Sequence, residues 1–123
     1  MRDNGEPAVQ AHLNRALANA VVRCYRRLAG RGPTNAQAFR RDDLVVVVLR
    51  GVLTLVERTL VADGRQEAVR RHRAAIHDTM GIELAGAIQG VTGCRVEAAM
   101  SADDVDNDLA AELFVLQPAS GRA

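Results

Sequence analysis

The chain contains no lysine and no tryptophan, and aromatic side chains make up only 2% of its 123 residues. Without lysine, neither Schiff-base nor P-loop lysine chemistry is open to it. Without aromatic bulk, the core must be assembled from Val, Leu, Ala and Ile, which bury less area apiece than Phe or Trp. A chain of this length fills a single domain, and so lean a core is expected to gain from covering further apolar surface in a homodimer. The scarcity of Tyr25, Phe39 and Phe114 also removes the stacking platforms that single-stranded nucleic acid needs, and no nucleic-acid partner is expected.

Charge of one sign is equally lacking. Arginine is balanced by Asp and Glu to a formal +1, so no global field draws the protein to nucleic acid or an anionic membrane. The longest aliphatic run, Leu44 to Leu49, is far too short to span a bilayer, which excludes direct membrane insertion through that run. Met1 to Pro7 is polar and lacks an apolar signal core, so a cytoplasmic location is expected. The only cysteines, Cys24 and Cys94, lack C-x-x-C spacing and read as reduced, buried thiols.

What is present reads as α-β-β-α-α-β-β: an α+β domain with an antiparallel sheet of about four strands and helices packed on one face. Residues 1–7 are expected to be a disordered leader, 8–117 the single domain and 118–123 a flexible tail. Pro7 suits a first helical turn, and Val9, Leu13, Ala16, Leu17, Ala20, Val21, Cys24 and Leu28 follow a helical period to about Ala29. Gly30-Arg31-Gly32-Pro33 stops that helix, a left-handed glycine followed by a proline that cannot continue it. Thr34 to Arg40 and Leu44 to Arg50 pair as a hairpin across Arg41-Asp42-Asp43. The second strand is apolar on both faces and should be covered on both, with helices on one side and a second subunit on the other.

Gly51 turns the chain out of that strand, and Thr54 with Glu57 forms a T-x-x-E capping box for a short helix ending near Ala62. After Asp63-Gly64 a longer helix carries Val69, His72, Ile76, Met80, Leu84, Ala87, Ile88 and Val91 inward, with a kink or close contact expected near Gly81 and Gly86. Thr92-Gly93 closes it. Cys94, Val96, Ala98 and Met100 then alternate with polar or small residues as a half-buried strand, Asp103 to Asp108 reads as a solvated acidic loop, and Ala111 to Leu116 is the last strand.

Chemistry-bearing patterns are sparse. His72 and His77 lie five apart on one helix, without an H-E-x-x-H pattern, and read as a helix-packing His72 and a surface His77. Zinc needs at least three convergent ligands, so no metal is expected. Arg65, Arg70, Arg71 and Arg73 spread over several helix faces and read as a solvated surface. The acidic loop lacks the glycine and terminal glutamate of an EF-hand. Gly30 to Pro33 could offer an anion backbone N–H groups and Arg31, without Walker or Rossmann context. No Ser/His/Asp or Cys/His set stands at a distinctive spacing, so no catalytic residue, no cofactor and no enzymatic activity are expected.

The order Gly30-Arg31-Gly32-Pro33, Asp42-Asp43 with an aliphatic strand, Gly51-Val52-Leu53-Thr54 with Glu57 and Thr59-Leu60, Val91-Thr92-Gly93 and Leu113-Phe114-Val115-Leu116 resembles a family of small bacterial proteins. That family, long catalogued as a domain of unknown function, is labelled the C component of a sodium-translocating, membrane-potential-generating system. The resemblance extends from the first helix to the last strand and is sharpest over Gly51 to Leu60. This chain departs from it over Gly81 to Gly90, which is glycine-rich where the family carries a charge-rich helix, and at Arg31, where a Lys is common. The resemblance implies a non-enzymatic, soluble accessory or regulatory protein of a membrane cation or inorganic-carbon transport system, held peripherally by membrane transport subunits. An alternative is a small-molecule or anion-binding sensor. The matched positions Arg31, Gly32, Thr54, Glu57 and Thr59 are the candidate ligand or partner surface, and Gly30, Pro33, Gly51 and Gly93 the structural turns.

Overall fold

The computed structural model describes residues 6–118. Pro7 lies in the first turn of α1 (Glu6–Ala29), so the helix takes in the last two residues of the expected leader. Residues 1–5 of that leader, and 119–123 of the expected tail, lie outside the described residues. Two hairpin strands follow, β1 (Asn35–Arg41) and β2 (Leu44–Arg50), then α2 (Leu55–Ala62), α3 (Gln66–Thr92), β3 (Val96–Asp104) and β4 (Leu109–Leu116). The α+β order is the one anticipated from the sequence. Gly30 at φ 81 and Gly93 at φ 73 occupy the left-handed region at the ends of α1 and α3, where a side chain would be strained.

The four strands form one antiparallel sheet in the order β1-β2-β4-β3. All three helices lie on one side of it. The core between the layers joins Leu17, Val21 and Tyr25 of α1 to Val69, Met80, Leu84 and Ile88 of α3, over Val45, Val47 and Leu49 of β2 and Phe114 and Leu116 of β4. Only the middle of the expected α1 stripe is buried; Val9, Leu13 and Leu28 remain exposed, and Tyr25, off that stripe, is fully buried.

β2 differs from expectation within the single chain. Its burial alternates, with Val45, Val47 and Leu49 sealed under the helices and Val46 and Val48 on the opposite, uncovered face. That face is apolar over its central strands, with polar side chains along β1 and at one end. One cross-strand row reads Phe39, Val46, Leu113, Met100, and its neighbours read Gln37, Val48, Ala111, Ala102 and Arg41, Leu44, Val115, Ala98.

β3 begins two residues later than expected and changes face. Val96 pairs with Leu116, but Ala98 already pairs with Val115, so Glu97 is an extra residue in the ladder. Beyond this bulge Ala99, Ser101 and Asp103 turn toward the helices, while Ala98 and Met100 turn outward. The strand also runs on to Asp104 and shortens the expected acidic loop. No close approach occurs at Gly81, Gly86 or Gly90, where a Cβ would meet nothing within 4 Å.

Val47 is fully buried beside a strand whose neighbouring position faces out. Val47→Asp would bury a carboxylate with no cation in place for it and is expected to cost about 3–5 kcal/mol in urea unfolding. A cost below about 1 kcal/mol would show that the helical layer does not seal this face.

Candidate functional site

Two features place chemistry-bearing side chains together: the corner at Gly51, and a chain of buried ions that starts there and crosses the core. Gly51 holds φ 67, and a Cβ added to it would run into the Thr34 side chain. Its N–H donates to Asp108 O at 3.0 Å, and Arg31 Nη2 donates to its carbonyl at 3.2 Å. The next two backbone N–H groups, of Val52 and Leu53, both donate to Asp108 Oδ1, at 2.8 and 2.9 Å. Asp108, expected in a solvated loop, is thus the residue that anchors the corner to the β3–β4 turn.

The capping box then forms as its spacing predicts. Thr54 Oγ1 accepts from Glu57 N at 3.2 Å, and Glu57 Oε1 accepts from Thr54 N at 2.9 Å. Of the candidate surface residues, Thr54 and Glu57 are therefore drawn together, and Arg31 joins them through Gly51. Thr59 Oγ1 donates back to Leu55 O within α2, and Gly32 lies against the Arg26 side chain, where a Cβ would come within 2.8 Å of Arg26 Nε. Thr54, Glu57 and Asp108 spend their side chains on the protein itself, and Arg31 gives Nη2 to Gly51 while its buried Nε has no hydrogen-bond partner. What it presents to solvent are Leu55 and Val56, 69% and 68% exposed in the first turn of α2.

Glu57 is only 2% exposed and serves a second purpose. Its carboxylate lies 3.2 Å from Nη1 of the fully buried Arg73, and its Oε2 is 2.7 Å from His72 Nδ1. Burial pushes its pKa up, but the Thr54 N–H, Arg73 and His72 outweigh that and hold it below the usual range. Arg73 Nε lies 4.0 Å from Asp103 Oδ1, and Asp103 Oδ2 is 2.6 Å from His77 Nε2. On the far side of the ring, His77 Nδ1 lies 3.0 Å from Glu112 Oε2, an oxygen that also accepts from Tyr25 Oη at 2.6 Å. Ser101 donates to the other Glu112 oxygen. The network thereby ties α1, α2, α3, β3 and β4 to one another.

The histidines are the reverse of what the sequence suggested. His77 is buried and His72 has an exposed ring, because the inward stripe of α3 runs Val69, Arg73, His77, Met80, Leu84, Ile88. With a carboxylate at each ring nitrogen, His77 is held as an imidazolium, the state in which both nitrogens carry protons. Burial lowers its pKa, but the bonds to Asp103 and Glu112 and the two charges raise it further, to about 9. The Tyr25 hydroxyl is driven strongly upward by burial and by the Glu112 charge, so it stays protonated and donates.

The network floors a cleft of about 460 Å³ between α3 and β3, bordered by Arg70, Asp78, Gly81 and Ala99. Among the described residues, no group of three or more His, Cys, Asp and Glu side chains is arranged to hold a metal ion. A protonated imidazole bracketed by two carboxylates is a clasp: it has no free lone pair with which to take up a substrate proton.

Because the folded pKa of His77 lies above the unfolded value of about 6.5, its stabilisation is complete below pH 6.5 and is lost as pH rises through about 9. The protein is expected to lose up to about 3 kcal/mol between those limits from this group, read as a falling thermal midpoint. His77→Gln should be less stable at pH 6.5 and lose most of that slope; an unchanged slope would mean that another group carries it.

A family model described as "Na+-translocating membrane potential-generating system (MpsC)" matches residues 10–118, from within α1 to just beyond β4. No curated protein and no solved structure matches the chain. The match takes in the Gly51 corner, the capping box and every member of the buried ion network. Among the described residues, no helix is long and apolar enough to cross a membrane. The chain belongs to the MpsC family, and so to the components of a Na+-translocating, membrane-potential-generating system.

Proposed function

We propose that the protein is a non-enzymatic, cytoplasmic accessory component of that system, homodimeric, and held at the membrane by docking on its membrane-embedded subunits. The observation that carries this reading is the Gly51 corner. Its backbone is pinned by Asp108, Arg31 and the Thr54–Glu57 capping box, and its outward side chains are Leu55 and Val56. A rigid turn that shows two large aliphatic groups to water fits the apolar centre of a protein contact. The family assignment supplies the kind of partner.

Regulation rather than catalysis is supported by the state of the polar groups. His77 is closed between two carboxylates, Tyr25 and Ser101 both donate to Glu112, and Glu57 neutralises Arg73. Each of these groups would have to give up a structural partner before reacting with anything else. In the alternative reading as an anion or small-molecule sensor edged by Arg31, Thr54 and Glu57, the same holds for Thr54 and Glu57, committed to the helix cap and Arg73, while Arg31 gives Nη2 to Gly51 and keeps Nε unpartnered.

The test is co-sedimentation of the purified protein with vesicles that carry the system's membrane subunits, against liposomes of the same lipids without them. Binding is expected only to the subunit-bearing vesicles, and a Leu55→Asp, Val56→Asp double variant should lose at least tenfold in affinity while keeping its thermal midpoint. Full binding by that variant, or none by the wild type, would overturn the docking assignment.

A further inference from the structure

The sheet face opposite the helices is uncovered and apolar over its central strands, with Phe39, Leu44 and Met100 54%, 39% and 57% exposed. Strands of this length and number make it roughly 19 Å by 23 Å, about 440 Å² in projection. That is near what one partner of a small specific interface contributes once side-chain relief is counted, about 600 Å².

We propose that this face is covered by the same face of a second copy, related by a two-fold axis that runs along the strand direction between β2 and β4. The inference rests on the homodimeric part of the function proposed above, and it names the surface and register. Such an axis lays β1 over the partner's β3 and β2 over the partner's β4, and it maps each cross-strand row onto itself. The row Phe39, Val46, Leu113, Met100 then brings Phe39 against Met100 of the second copy and Val46 against Leu113, while Leu44 meets Val115 and Val48 meets Ala111. An aromatic ring against a thioether is a favourable pairing, and the largest side chains of the face fall at its two margins, each opposite the other.

The charges follow the same symmetry. At one end of the face the row reads Asn35, Arg50, Leu109, Asp104. Folding that row onto itself puts Arg50 over Leu109 of the second copy, one strand spacing of about 4.8 Å from the strand carrying its Asp104, with Asn35 over that Asp104 directly. The remaining charge, Arg41, sits at the outer margin opposite Ala98, where its head reaches water. A two-fold perpendicular to the strands would instead lay Arg50 against Leu44 and Phe39 against Gln37, and would leave Asp104 facing Ala98. Charge complementarity and the match of large apolar groups both choose the first axis.

Light scattering after size exclusion at tens of micromolar should give twice the 13.2 kDa of one chain, and Val46→Asp should return it to 13.2 kDa. Should Val46→Asp fail to fold, a second variant decides. Phe39→Cys with Met100→Cys lie at opposite margins of one sheet, about 14 Å apart, whereas facing residues of two stacked sheets lie about 10 Å apart, so a thiol cross-linker that spans about 10 Å and not 14 Å joins them only between copies. A covalent dimer with the 39–100 cross-link located by peptide mapping, absent from either single variant and from the wild type, is the expected result. A monomeric wild type overturns both the homodimer and this interface. A dimer that survives Val46→Asp and forms no 39–100 cross-link keeps the homodimer and overturns the sheet-face assignment. Neither outcome bears on Leu55 and Val56, whose vesicle binding is read separately.

Discussion

The pairing of Glu57 with Arg73 is the constraint around which the rest of the molecule is arranged. A guanidinium with no solvent exposure is tolerable only beside fixed negative charge, and Glu57 is fixed because the oxygen that meets Arg73, Oε1, also closes the cap of α2. The cap could not hold its geometry if Thr54 were displaced, and Thr54 is placed by a corner that Asp108 grips from the start of the adjacent strand β4. A local helix signal and a long-range ion pair are therefore one device. Past Arg73 the sequence of charges alternates through Asp103, His77 and Glu112, so each ion is bracketed by groups of opposite sign or by donors. An aromatic-poor core gains from such a chain what aliphatic packing does not supply, namely directionality.

Most of the fold was legible in the amino-acid order because its signals are local. Gly30 and Gly93 stop helices, Thr54 and Glu57 start one, and the aliphatic run from Leu44 declares a strand. The site was less legible, for reasons that particular residues make plain. Arg73 and His77 are charged or polar, so a search for apolar periodicity passes over them, although they stand four and eight residues after Val69 and continue the buried stripe. Asp103 and Asp108 sit in a run of acids whose composition suggests solvation; only the tertiary pairing reveals that each meets a partner from a distant element. The spacing Val69, Arg73, His77 was the available clue, and Glu112 inside an otherwise aliphatic strand was its complement.

The arrangement divides the surface by chemistry. One chain of ionisable groups is gathered between the layers, whereas the centre of the outward-facing sheet and the first turn of α2 show apolar side chains. The interior therefore carries the specificity that fixes one packing, while the exterior is left to non-directional contact.

The extra residue at Glu97 has an effect far beyond its own position. An edge strand has a parity: each residue faces one way or the other, and a single insertion inverts everything downstream of it. In an unbroken ladder Met100 would point under α3 and Ser101 and Asp103 would point away from it, so Glu112 would lose a donor, His77 a counter-ion, and the open sheet its largest thioether. The polar interior and the oily exterior of this half of the protein are thus products of the same inversion. Losing or gaining one residue here would exchange the two at a stroke, so this half of the fold depends on the length of the strand at Glu97 more than on the side chain that stands there.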